Sequence, residues 1–227
     1  MNLLRRVAAH AETQRILLTL HLLLDRRAVM FVVVDALMLI LATTAALLGE
    51  GTAGGMYVAV ILVPFIAIAI PILADSVSLE RRAGSIDLAL SSPSGSHYFT
   101  RRIGAFCCLM FLQGMLALLF SRFLVEEFPL VPAVIQLGIT CALIGATTLY
   151  WSLRLRTAGG VLFASVLTIG ALGKWLFSIP VYPRWNQVSP IEVLIPWARQ
   201  NVVLLIATGL FYLYARRRLT RPEEILQ

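Results

Sequence analysis

The chain has 227 residues, of which 59% are apolar and 14% charged, with a formal net charge of +7 and a mean hydropathy of +0.85. Soluble domains carry roughly 45–50% apolar residues, so the composition excludes an ordinary water-soluble domain and specifies an integral membrane protein. A span needs about 20 residues, which leaves room for about six helices and no separate soluble catalytic domain; the excess of arginine fits retention of basic residues on the cytoplasmic side and implies no nucleic-acid partner.

Residues 1–27 read as an interfacial amphipathic helix. Leu4, Val7, Ala8 and Ala11 fall at i, i+3, i+4 and i+7, with Arg5, Arg6 and Glu12 elsewhere on the wheel. A signal peptide is the weaker reading, because Glu12 and Arg15 interrupt the apolar run and Asp25-Arg26-Arg27 ends it without a small-residue cleavage site. Spans 1 and 2 occupy residues 28–75. The first, 28–48, carries Asp35 about two turns from its inner end. A carboxylate inside a span costs about 2.5–3.5 kcal/mol on insertion scales, so Asp35 is a candidate path residue, unless it reaches Arg26, Arg27 or interfacial water. A glycine-rich outer turn, 49–55, leads to the second span, 56–73, in which Pro64 and Pro71 each remove a helical hydrogen bond. The bends predicted there suit a helix that lines a cavity or hinges.

Residues 76–102 form the only long polar insert between two apolar runs, with Gly84 and Pro93 each placed to stop a short helix. Spans 3–5 occupy 103–179. The third is expected over 103–125 and the fourth over 133–151, where Gly138, Ala142 and Ala146 have small-xxx-small spacing that permits close helix approach. The fifth is expected over 159–177 and contains Gly170 and Gly173 as a second hinge candidate. Residues 180–200 mix Trp185 and Trp197 with Pro180, Pro183, Pro190 and Pro196, a pattern for a broken, partly re-entrant outer hairpin. Residues 201–227 supply span 6 and a basic tail. All nineteen Lys and Arg residues except Arg122, Lys174, Arg184 and Arg199 fall on one side of this arrangement. The positive-inside rule puts that side, with both termini and the polar insert, in the cytoplasm.

Several chemistries are excluded by what is missing. The sole lysine, Lys174, lies in Leu172-Gly173-Lys174-Trp175, so there is no phosphate-binding GxxxxGK[ST] loop. His10, His21 and His97 have no metal-ligand spacing, and Cys107, Cys108 and Cys141 read as small apolar residues of spans. No Ser/His or Asp/Asp pair at workable spacing supports a membrane hydrolase. The chain is not expected to be an enzyme.

The polar insert reads Glu80-Arg81-Arg82-Ala83-Gly84-Ser85-Ile86-Asp87-Leu88, followed by Leu90-Ser91-Ser92-Pro93. This series resembles the cytoplasmic loop of type-2 ABC exporter permeases (the ABC-2 family), which carries Glu-Arg, Gly-Thr/Ser, acidic-Leu and Thr/Ser-Pro between its second and third spans. Asp87 stands where many members have Glu, which keeps the charge and shortens its reach. The resemblance implies an all-α permease subunit of the inner (plasma) membrane. Its expected partners are a second permease subunit, the same or related, two copies of a cytoplasmic ATP-binding-cassette ATPase, and membrane lipid. It also implies that ATP and Mg are bound by the ATPase and no cofactor by this chain. Glu80, Arg81, Arg82, Gly84, Ser85, Ile86, Asp87, Leu88 and Pro93 would be the coupling element, its charges pairing with the ATPase and Ile86 and Leu88 anchoring it. A hydrophobic or amphipathic substrate would pass near spans 2 and 5, where Pro64, Pro71, Gly170 and Gly173 lie. A haem exporter permease of cytochrome c maturation is the nearest alternative, and a non-transporting scaffold or small channel is the alternative of another class.

Overall fold

The computed structural model describes residues 29, 33, 34, 36, 37, 40, 43, 44, 55, 57–75, 95–124, 129–176 and 190–220. Every regular element among them is helical. We number α1 (57–75), α2 (Gly95–Leu124), α3 (Leu130–Arg154), α4 (Ala158–Ala171), α5 (Gly173–Leu176) and α6 (Pro190–Leu219). Among the described residues three stretches are long and apolar enough to cross a membrane: Phe99–Phe123, Leu130–Arg154 and Ile191–Leu219. The shortest have 25 residues, about 38 Å of helix against a hydrocarbon core of about 30 Å. Their outward faces carry Leu116, Phe123, Ile135 and Ile206, all exposed, as lipid contact requires and water would penalise. Val29, Val33, Leu37 and Ile40, spaced at i, i+4, i+8 and i+11, are helical and also exposed.

Helix α3 is the centre of the bundle. Of its apolar window 61% is buried, against 33% for α2 and 11% for α6, and it packs on α2, α4 and α6. Two glycines set how closely α2 and α3 approach. A Cβ on Gly114 of α2 would stand 2.7 Å from Leu137 Cδ1, and one on Gly145 of α3 would stand 2.5 Å from Cys107 Sγ. Pairing of 114 with 137 and 107 with 145 makes the two helices antiparallel. Helices α3 and α6 are parallel, since Trp197 reaches Gln136 near their starts and Arg218 Nη1 donates to the Leu153 carbonyl (3.1 Å) near their ends. Arg101, Arg102, Arg154, Arg156 and Arg216 to Arg218 therefore share one end of the bundle, while Arg122, Lys174 and Arg199 lie toward the other.

The helices depart from the expected spans in three places. First, residues 190–200 of the expected 180–200 hairpin are helical and continuous with the last span in α6, while 180–189 lie outside the described residues. Proline suits the first helical position because that N–H is unbonded in any helix. Pro196 deprives only the Glu192 carbonyl of its donor, a loss one helix can carry. Second, α2 starts at Gly95, so the final residues of the expected 76–102 loop are helical. Third, the fifth apolar run is interrupted: α4 ends at Ala171, Leu172 takes φ −90° and ψ 0°, and α5 follows at Gly173. Gly170 and Gly173 flank this break, where low helix propensity makes it least costly. Helix α4 alone, with 14 residues, is about 21 Å long and falls short of the hydrocarbon core.

Helix α1 carries two π-helical stretches, Val58–Leu62 and Phe65–Ala69, with Pro64 between them. The Val63 N–H bonds the Val58 carbonyl and the Ile70 N–H bonds that of Phe65, each one residue wider than an α turn. Pro64 has no N–H to offer the Val60 carbonyl. The wide turns flank Pro64, whereas Pro71 lies in the α-helical turns that follow.

Gly145→Ala is expected to destabilise the protein by about 1–3 kcal/mol through forced separation of α2 and α3. Gly104→Ala, whose Cβ meets nothing within 4 Å, should be neutral or gain up to about 1 kcal/mol of helix propensity. Thermal unfolding of both variants in detergent checks the contrast.

Candidate functional site

The buried polar groups of the bundle are concentrated on α3. Gln136, Thr140, Thr147, Thr148 and Ser152 are all buried there, joined by Ser165 of α4 and Asn201 of α6. A hydrocarbon surround offers no water to these groups, so each must find a protein partner or remain unsatisfied. Thr140 and Thr147 return their hydroxyls to the carbonyls four residues earlier, Gln136 and Leu143, the self-contained solution open to a helical Thr.

Gln136 cannot satisfy itself in that way and instead ties three elements together. Its Oε1 accepts from Trp197 Nε1 of α6 at 3.1 Å, and its Nε2 donates to the Trp175 carbonyl of α5 at 3.4 Å. One turn along α6, Asn201 Nδ2 donates to the Trp197 carbonyl at 3.1 Å, while Asn201 Oδ1 has no donor. One turn along α3 from Gln136, Thr140 stands beside the Tyr57 hydroxyl of α1, which is buried and makes no hydrogen bond of normal geometry. The seam Tyr57–Thr140–Gln136–Trp197–Asn201 thus crosses α1, α3 and α6.

A second polar contact lies nearer the basic end. Trp151 Nε1 donates to Thr168 Oγ1 at 3.0 Å, linking α3 to α4, and Thr168 in turn donates to the Ala164 carbonyl at 2.7 Å. Buried Thr148, Ser152 and Ser165, on the same two helices, carry hydroxyls without partners.

These groups are neutral amides, hydroxyls and indoles, suited to holding or gating a polar group and not to nucleophilic or acid–base chemistry. Among the described residues no three His, Cys, Asp or Glu side chains come together to hold a metal ion. The cysteines are free thiols, Cys107 facing the Cys141 carbonyl at 3.4 Å and Cys108 pointing outward.

Of the sequence-derived candidates, Pro64 and Pro71 lie on α1, whose main partner is α2, whereas Gly170 and Gly173 bracket the Leu172 break between α4 and α5. Asp35, Glu80, Arg81, Arg82, Gly84, Ser85, Ile86, Asp87, Leu88 and Pro93 lie outside the described residues. The stripe Gly138, Ala142, Ala146 does not supply the tightest helix contact: a Cβ on Gly138 would meet Phe111 at an ordinary 3.6 Å. Tyr57, Thr140, Gln136 and Asn201 are the seam residues the sequence reading missed. For Gln136 the signal was an amide inside an apolar run, which insertion costs disfavour unless a partner is near. No known protein family, characterised protein or solved structure matches the chain.

A double-mutant cycle of Gln136→Leu and Trp197→Phe should give a coupling energy of about 0.6–1.7 kcal/mol, the range for interhelical hydrogen bonds in membranes. Unfolding in detergent–denaturant mixtures measures it, and additive effects of the two changes would show that the bond contributes nothing.

Proposed function

We propose that this chain is the membrane subunit of an ATP-driven exporter of the type-2 ABC permease kind. It would have six spans and an interfacial N-terminal helix, with both termini on the cytoplasmic face of the inner (plasma) membrane. A second permease subunit and two ATPase subunits complete the transporter, and a hydrophobic or amphipathic substrate crosses by alternating access.

The observation that carries this reading is the Glu80 to Pro93 series in its setting, bracketed in sequence by α1, which runs to Asp75, and α2, which starts at Gly95. A push on such a loop would be delivered to the start of α2. That helix is locked against α3 at Gly114 and Gly145, so it would carry displacement into the bundle as a body. Arg101, Arg102, Arg154 and Arg216 to Arg218 share the end of the bundle at which α2 starts, which supports a cytoplasmic placement of the series that precedes α2 in sequence.

Alternating access needs ATP to bind one conformation of the assembly more tightly than the other. The chain's part is to couple that preference to the path. Glu80, Arg81, Arg82 and Asp87 would hold the ATPase by charge, and Ile86 and Leu88 would transmit force through an apolar contact.

Purification in mild detergent from the native host should bring down a Walker-type ATPase in stoichiometric amount; its absence, where other transporters remain assembled, would favour a scaffold or channel. Glu80→Ala combined with Gly84→Pro should leave assembly intact and reduce transport per ATP by about 5–150-fold, the span of a 1–3 kcal/mol coupling, and unchanged transport would overturn the coupling role. Asp35→Asn should leave transport near normal if the carboxylate is only an interfacial charge, and a large loss would place it on the path.

A further inference from the structure

Between α2, α3 and α6 runs an apolar groove of ≈ 360 Å³, lined by Ile103, Gly104 and Cys107, by Ala142 and Ala146, and by Tyr212. Small side chains create it: Ala142 is exposed and a Cβ on Gly104 would meet nothing within 4 Å. The groove lies at the basic end of the bundle. Thr208, which also lines it, Tyr212 and Arg216 are spaced four apart on α6, so Arg216 follows one turn beyond the groove on the same stripe. Arg101 stands three residues before Gly104 on α2, and both arginines are exposed.

We infer that this groove seats an acyl chain of an anionic glycerophospholipid whose phosphate is met by Arg216 and Arg101. From Thr100 to Cys107 the lining rises about 10 Å. One leaflet of the hydrocarbon core is about 15 Å deep, so the groove covers the upper two-thirds of one lipid tail, next to its headgroup. The arginines at its mouth select the charge of that headgroup, and each basic residue near a membrane surface favours an anionic lipid about fivefold.

The test is native mass spectrometry of the full chain in mild detergent, titrated with dioleoyl phosphatidylglycerol or dioleoyl phosphatidylcholine. The expected result is at least about fivefold tighter retention of phosphatidylglycerol, with Arg216→Gln lowering that preference about fivefold. Gly104→Leu should reduce retention of both lipids by filling the groove, at unchanged helical circular dichroism. Should that variant lose helicity, Ala142→Leu, at an exposed lining position, takes its place. Equal retention of the two lipids, or retention untouched by the groove-filling variants, overturns the inference. So does conversion of a dimer to a monomer by Gly104→Leu without loss of lipid, which assigns the groove to a second copy of the chain. No ATPase enters the experiment, so its outcome is independent of the exporter reading.

Discussion

Helix α3 is surrounded by other helices over most of its length, and the rest of the described structure follows from what that burial demands. A helix in hydrocarbon satisfies its own backbone, so the open question at each position of α3 is the side chain. Apolar residues such as Leu137, Leu143 and Ile144 are fully buried and need only shape. Polar ones need partners, and the partners they find decide which helices stand next to α3 and in what direction. Gln136 with Trp197 and the Leu153 carbonyl with Arg218 are contacts near opposite ends of one helix pair. Together they fix α3 and α6 as parallel neighbours more firmly than apolar packing does, because lipid competes for apolar surface and offers nothing to an amide.

Close approach is the second demand, and it is met by glycine where a neighbour's side chain arrives head-on. Gly145 admits Cys107, and Gly114 admits Leu137, with Phe65 of α1 at 3.3 Å from a Cβ there. That second site joins three helices at one point, so a side chain at 114 would disturb α1, α2 and α3 together. Packing so dense transmits displacement instead of absorbing it, which bears on any account in which force enters at the start of α2.

The helices α2, α3 and α6, three of the six expected spans, were legible in the sequence, because runs of apolar residues longer than a hydrocarbon core have few other uses. What sequence could not supply was the direction each helix faces. Gly138, Ala142 and Ala146 have the spacing of a close contact, yet the contact formed at Gly145, one residue round the helix, because Cys107 happens to oppose it. Ala142 and Ala146 line the groove instead. Gln136 and Trp197 lie 61 residues apart, so neither announces the other, and Trp197 reads equally well as a member of an interfacial belt. The prolines misled in a different way. Pro190, Pro196 and their neighbours suggested a broken segment, but Pro190 opens α6 where proline is favoured and Pro196 lies inside it. Gly170 and Gly173 were read as a hinge and do flank an interruption, since two weak helix formers near Leu172 leave little to oppose it.

The regular and irregular parts of the bundle divide along these lines. Helices α2, α3 and α6 are long, locked by glycine contacts and interhelical hydrogen bonds, and carry the basic end. The departures from α geometry among the described residues are elsewhere, in the π turns on either side of Pro64 in α1 and at Leu172 between α4 and α5. A π turn can migrate or close by shifting one hydrogen bond, and a two-piece helix can change its angle at the break, each at a cost smaller than repacking α3. The Gln136 seam touches both irregular parts: Thr140 lies beside Tyr57 of α1, and Gln136 itself holds the Trp175 carbonyl of α5.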